Sequence, residues 1–186
     1  MGVLIAILIV AGIGLAFAFW SIQQSRRRKE LKGRFGPEYD RTIETAENRG
    51  EGEKQLVERE KRVELFELKE LEPRQAQRFG DEWRSTQSRF VDDPGGAIEE
   101  ADGLVQEVMA ARGYPITNFE QQAADISVDH PEVLSNYRAA HTIAEKNKKD
   151  GSSTEDLRQA MVHYRSLFDE LLGVSASPQQ SNGGPR

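Results

Sequence analysis

The hydrophobic positions change character once along the chain. Residues 3–22 are almost wholly apolar, whereas everything after Arg26 is charged, with apolar residues recurring at spacings of three and four. Twenty residues at a helical rise of about 1.5 Å span the roughly 30 Å of a bilayer's hydrocarbon core. The spacing predicts a transmembrane helix over 3–22. Trp20, with Phe17 and Phe19, stands near one end, where interfacial aromatics concentrate, and Arg26-Arg27-Arg28-Lys29 follows within two turns. Those four bases predict that this end faces the cytoplasm, with the amino terminus outside.

Beyond the flank, Arg34-Phe35-Gly36-Pro37 interrupts the chain and starts a helix, with Glu38 and Asp40 at the positive end of its dipole. Gly50-Glu51-Gly52 is expected to end it. The stretch 53–70 is dominated by Glu, Lys and Arg around Leu56, Val63, Phe66 and Leu68, which predicts a weakly buried helical arm or one strand of a short coiled coil.

Five cleaner segments follow. Ala76, Phe79, Trp83, Thr86 and Phe90 form one apolar face, stopped by Asp92-Asp93-Pro94. Asp93 is expected to cap the next helix, which carries Ala97, Ala101, Leu104, Val108 and Met109 and ends at Gly113-Tyr114-Pro115. A short helix is expected over 119–126. Pro131 starts another, with Val133, Tyr137, Ala140 and Ala144 along one side, dissolving over 147–151. Thr154 is expected to cap the last helix, whose face is Leu157, Met161, Tyr164, Phe168, Leu171 and Leu172, with Gly173 as its stop. Residues 174–186 are too polar to fold. No segment alternates with period two, so the expected fold is all-α: an N-terminal transmembrane helix followed by an antiparallel helical bundle. The expected divisions are anchor and basic flank 1–29, charged helical arm 30–72, bundle 73–173 and tail 174–186.

Charge sharpens this division. The 186 residues carry a net charge of −6, but residues 1–29 hold four bases and no acid, leaving 21 bases against 31 acids from Glu30 onward. A body near −10 lacks the concentrated cations that duplex binding requires. Nucleic acid is not an expected partner. The absence of cysteine excludes thiolate chemistry, cysteine-bound metal and disulfides. A cleaved signal peptide would need a basic start and a small-x-small site better than Ala16-Phe17-Ala18. Ala6 stands where a myristoylation signal wants Ser or Thr. Gly12 with Ala16, and Gly14 with Ala18, are small-xxx-small pairs suited to close approach of two spans, hence to a homodimer.

Candidate chemistry is sparse. His130 lies in a capping turn, His141 has Glu145 one turn on, and His163 lies beside Tyr164, but three converging metal ligands are not spelled out. The acid pairs Asp92-Asp93, Glu99-Glu100 and Glu155-Asp156 sit where helix-start electrostatics places acids. Pro94-Gly95-Gly96 lacks the Lys-Ser or Lys-Thr of a phosphate loop, and no Gly-x-Ser-x-Gly elbow occurs. Phe79, Trp83, Tyr137, Tyr164 and Phe168 are expected in the core. We expect no catalytic, cofactor or metal site.

The stretches Leu31-Lys-Gly-Arg-Phe-Gly-Pro-Glu-Tyr-Asp-Arg41, Arg89-Phe-Val-Asp-Asp-Pro94, Ser127-Val-Asp-His-Pro-Glu132 and Thr154-Glu-Asp-Leu-Arg-Gln-Ala-Met-Val-His-Tyr-Arg165 resemble a family of bacterial proteins with one N-terminal span and no assigned activity. The resemblance implies a membrane-anchored helical module and no transferable active site. The expected function is that of a single-pass protein-interaction module of the bacterial cytoplasmic membrane, its body in the cytoplasm. The alternative is an extracytoplasmic sensor or ligand-binding bundle using the aromatics around Trp83 and Tyr137.

Overall fold

A computed structural model describes residues 2–173; within that range the side chains of residues 2–11, 13, 16, 17 and 20 lie outside the description. Among the described residues the chain is all-helical, with eight helices and no strand: α1 (Gly2–Phe35), α2 (Pro37–Thr45), α3 (Arg49–Val63), α4 (Pro73–Arg89), α5 (Pro94–Arg112), α6 (Phe119–Asp129), α7 (Pro131–Asp150) and α8 (Thr154–Leu171). They form two compact units, Met1–Glu58 and Arg59–Arg186. Among the described residues no helix is long and apolar enough to cross a membrane. The expected span falls mostly on side chains outside the description, Ala16 and Trp20 included, and no transmembrane helix is shown among the described residues.

In the first unit α1 runs without interruption to Phe35, and Gly36, at φ 48°, turns the chain into α2 behind Pro37. Leu31, Phe35, Tyr39 and Leu56 are buried. Gly50 and Gly52 do not end a helix as expected. The break comes earlier, after Thr45, and Asn48 restarts the helix by accepting the Glu51 N–H at 3.0 Å. Gly52 then lies inside α3 because α2 passes against it: a Cβ there would come within 2.7 Å of Ile43 Cδ1 and 3.2 Å of Ile43 Cα. The missing side chain is used for close approach of two helices rather than for termination.

In the second unit the expected apolar faces of α4, α5, α7 and α8 converge on one core, with α6 contributing Ala123 and Ile126. Phe79, Trp83, Tyr137, Tyr164 and Phe168 are all buried there, and Trp83 stacks on Phe168 with centroids 4.5 Å apart. Asp93 caps α5, accepting the Gly96 N–H at 2.9 Å, and Gly113 closes it in the left-handed conformation. Three boundaries differ from expectation. Ser153, not Thr154, caps α8 through the Asp156 N–H at 3.1 Å. α6 continues to Asp129, and α7 to Asp150.

The charged segment also departs from a continuous helical arm. α3 stops at Val63, and residues 67–72 are non-helical. This strap lies along the C-terminal end of α5: the Lys69 N–H donates to the Arg112 carbonyl at 2.9 Å, and Phe66 meets the Tyr114 ring edge-on. Composition favoured a helix, but the strap gains a tertiary hydrogen bond and a ring contact that a helix would forgo. Gly113 is the hinge of this contact. Its φ of +98° suits glycine, and a Cβ would sit 2.5 Å from the Glu67 carbonyl oxygen. Gly113→Ala is therefore expected to cost about 1–3 kcal/mol from backbone strain alone, read as a lower denaturation midpoint of the full chain; an unchanged midpoint would contradict the strap's placement.

Candidate functional site

The basic flank is the first candidate, and α1 decides what each base can do. Arg28 turns toward the packed side of the first unit, where its Nε lies 3.4 Å from Glu53 Oε1. The same oxygen accepts the Tyr39 hydroxyl at 2.8 Å. Glu53 is buried, so these two donors replace the water it has lost. Burial of the phenol, then its hydrogen bond to Glu53, holds the Tyr39 pKa above its usual value. Lys32 reaches Asp40 at 3.1 Å. Arg26, Arg27 and Lys29 are exposed, and among the described residues none of them meets a carboxylate. Sequence grouped Arg26, Arg27, Arg28 and Lys29 as one cluster; the fold takes Arg28 out of it. Gly12 and Gly14 face open space, and Ala18 is exposed.

The second candidate is polar and internal. Asp102 on α5 is 7% exposed and accepts the Tyr164 hydroxyl at 2.8 Å and Gln106 Nε2 at 3.0 Å. Tyr137 packs edge-on against Tyr164, and its own hydroxyl points to Gln122 Oε1 at 3.5 Å. Burial and then the Asp102 carboxylate push the Tyr164 pKa far above its ordinary 10, so this phenol is a permanent donor. The arrangement ties α5 to α8. A second buried acid, Asp125, 1% exposed, does the same for the end of α3, accepting from Arg62 Nε at 3.0 Å and from Gln121 Nε2 at 2.7 Å. Sequence carried no sign of these pairs, whose partners are 62 and 63 residues apart.

The three histidines do not converge. His130 Nδ1 pairs with Glu170 Oε1 at 3.1 Å, joining the α6–α7 corner to α8. His141 stacks flat on Phe119, centroids 3.6 Å apart, and its buried Nδ1 meets no partner among the described residues. Glu145, paired with it by sequence, instead accepts from Lys148 at 3.1 Å. Burial lowers the His141 pKa, against the opposing pull of Asp102. Among the described residues no three His, Asp or Glu side chains are grouped to hold a metal ion. A shallow groove of about 310 Å³ between α4 and α5 is lined by Glu82, Glu100 and Glu107, with Thr86, Gly103 and Leu104. Two of its three acids answer bases of the chain itself: Arg78 at Glu82 and Arg89 at Glu100.

Comparisons with protein-family models, curated proteins and solved structures yield no match to this chain. The resemblance drawn from the four sequence stretches thus stands on those residues alone.

Two outcomes follow from the internal cluster. Tyr164→Phe removes a donor from buried Asp102 and is expected to cost about 1–3 kcal/mol in a chemical denaturation curve; a cost near zero would mean that Asp102 does not depend on it. His141 has a folded pKa below its unfolded 6.5, so the unfolded chain binds the proton more readily. Its contribution is complete above about pH 6.5 and is lost as pH falls toward the folded value. His141→Phe should flatten the loss of melting temperature between about pH 7 and pH 5, and parallel profiles for the two proteins would exclude His141 as the titrating group.

Proposed function

We propose that the chain is a single-pass, membrane-anchored helical interaction module. In this reading residues 3–22 cross the cytoplasmic membrane of a bacterium with the amino terminus outside. Arg26, Arg27, Arg28 and Lys29 hold the cytoplasmic side, and the two folded units present helical surfaces to a protein partner there. The observation that carries the reading is the continuity of α1, a 34-residue helix that passes from the apolar run through the basic flank to the buried Phe35 without a break. The described large apolar side chains of its first part are turned outward: Leu15 is 73% exposed, Phe19 67% and Ile22 55%. A hydrocarbon surround would remove that cost.

The interaction role rests on the exposed apolar residues between α3 and α4, Leu65 in the turn after α3 and Leu68 in the strap. Association of two spans through Gly12, Gly14, Ala16 and Ala18 would make the module a homodimer. An outward-facing bundle that binds ligand through Trp83 and Tyr137 has less to recommend it, because both rings are buried in the core.

The chain lacks cysteine, so single cysteines at Gly2 and Ser177 report each end of it. With a membrane-impermeant maleimide and intact cells, we expect Gly2→Cys to label and Ser177→Cys to stay protected until lysis. The reverse pattern would invert the topology, and protection of both would remove the anchor.

A further inference from the structure

We infer that Arg26, Arg27 and Lys29 form a binding surface for anionic phospholipid headgroups, separated from Arg28 and Lys32, which the chain keeps for its own carboxylates. This rests on the anchored reading above and adds what the flank recognises.

The separation follows from helical geometry. Leu15, Phe19, Ile22, Arg26 and Lys29 recur at spacings of four and three, so they lie along one face of α1. Arg28 and Lys32 lie on the other side with the buried Leu31 and Phe35, and their charges are met by Glu53 at 3.4 Å and Asp40 at 3.1 Å. The exposed apolar stripe therefore runs directly into bases that make no ion pair among the described residues. Arg26 is about 6 Å and Lys29 about 10 Å beyond Ile22 along the axis. That is the depth of a headgroup layer, which long basic side chains reach while their stems stay on apolar surface. Glu30 shares the exposed surface with Arg26 and Arg27, leaving two net positive charges there.

Charge complementarity selects the occupant. From Glu30 onward acids exceed bases by ten, so the body repels an anionic surface and the flank attracts it. The other basic group, Lys146, Lys148 and Lys149, has two of its three ammoniums at Asp156 and Glu145. A negatively charged lipid layer suits three bases disposed around a helix as it leaves the hydrocarbon, because it supplies phosphates on every side at one depth.

The test reconstitutes the full chain in phosphatidylcholine vesicles containing a minor fraction of brominated lipid, and reads quenching of Trp20, the tryptophan at the basic end of the span. Trp83, buried in the bundle, supplies a constant background. Brominated phosphatidylglycerol should quench more effectively than brominated phosphatidylcholine at equal fraction. Each base should contribute up to about fivefold to that preference, which salt should weaken. The variant R26Q/R27Q/K29Q should bring the two lipids to parity, while Arg28→Gln should leave the preference in place. Equal quenching by both lipids in the unaltered chain would overturn the headgroup surface while leaving the anchor intact. Loss of preference in Arg28→Gln equal to that in the triple variant would overturn the division of the flank. Absence of quenching by either lipid would overturn the anchored reading and this inference with it.

Discussion

A carboxylate taken out of water must be given donors in its place, and of the four buried among the described residues three tie distant stretches of this chain together. Glu53, Asp102 and Asp125 are all buried. Each is answered from a distant part of the sequence: Glu53 by Tyr39 and Arg28, Asp102 by Tyr164, Asp125 by Arg62. Leaving one unanswered costs far more than the hydrogen bond is worth when made. The pairs therefore fix which helix faces meet, whereas the apolar residues around them supply the larger but less selective attraction.

The same constraint shapes the amino-terminal unit. Arg28 belongs by sequence to a basic cluster of the kind that sets membrane topology, yet Glu53 needs a donor and α1 brings Arg28 round to it. One helix thus serves two environments along its length. Its first part carries exposed Leu15, Phe19 and Ile22, and its last turns bury Leu31 and Phe35. Because no break separates them, an anchor in the first part would hold the packed part at a fixed rotation to the membrane.

Much of the fold is legible in the sequence where local signals and tertiary packing agree. The stripes of α4, α5, α7 and α8 recur with helical period because each buries a single face, and Asp93 and Gly113 mark the ends of α5 because their roles are local. Legibility fails where a distant contact decides. Gly52 reads as a breaker until Ile43 of α2 is seen against it, and the strap reads as helix until Arg112 and Tyr114 offer it partners. Ser153 and Thr154 are adjacent and chemically equivalent as caps, so the sequence does not choose between them. The paired acids carry no pattern at all, since Asp102 and Tyr164 are each unremarkable within their own helices. Of the candidate flank, the four bases were legible and their division was not, because Glu53 lies 25 residues away.

On the anchored reading proposed above, α1 is built for hydrocarbon at one end and for a protein core at the other. The most direct measurement is extraction of membranes from cells making the full chain with alkaline carbonate, which strips peripheral proteins and leaves integral ones. An anchored chain is expected to stay with the washed membranes and to leave them only in detergent. Release into the carbonate supernatant would contradict that reading, and would leave Leu15, Phe19 and Ile22 to be covered by protein instead.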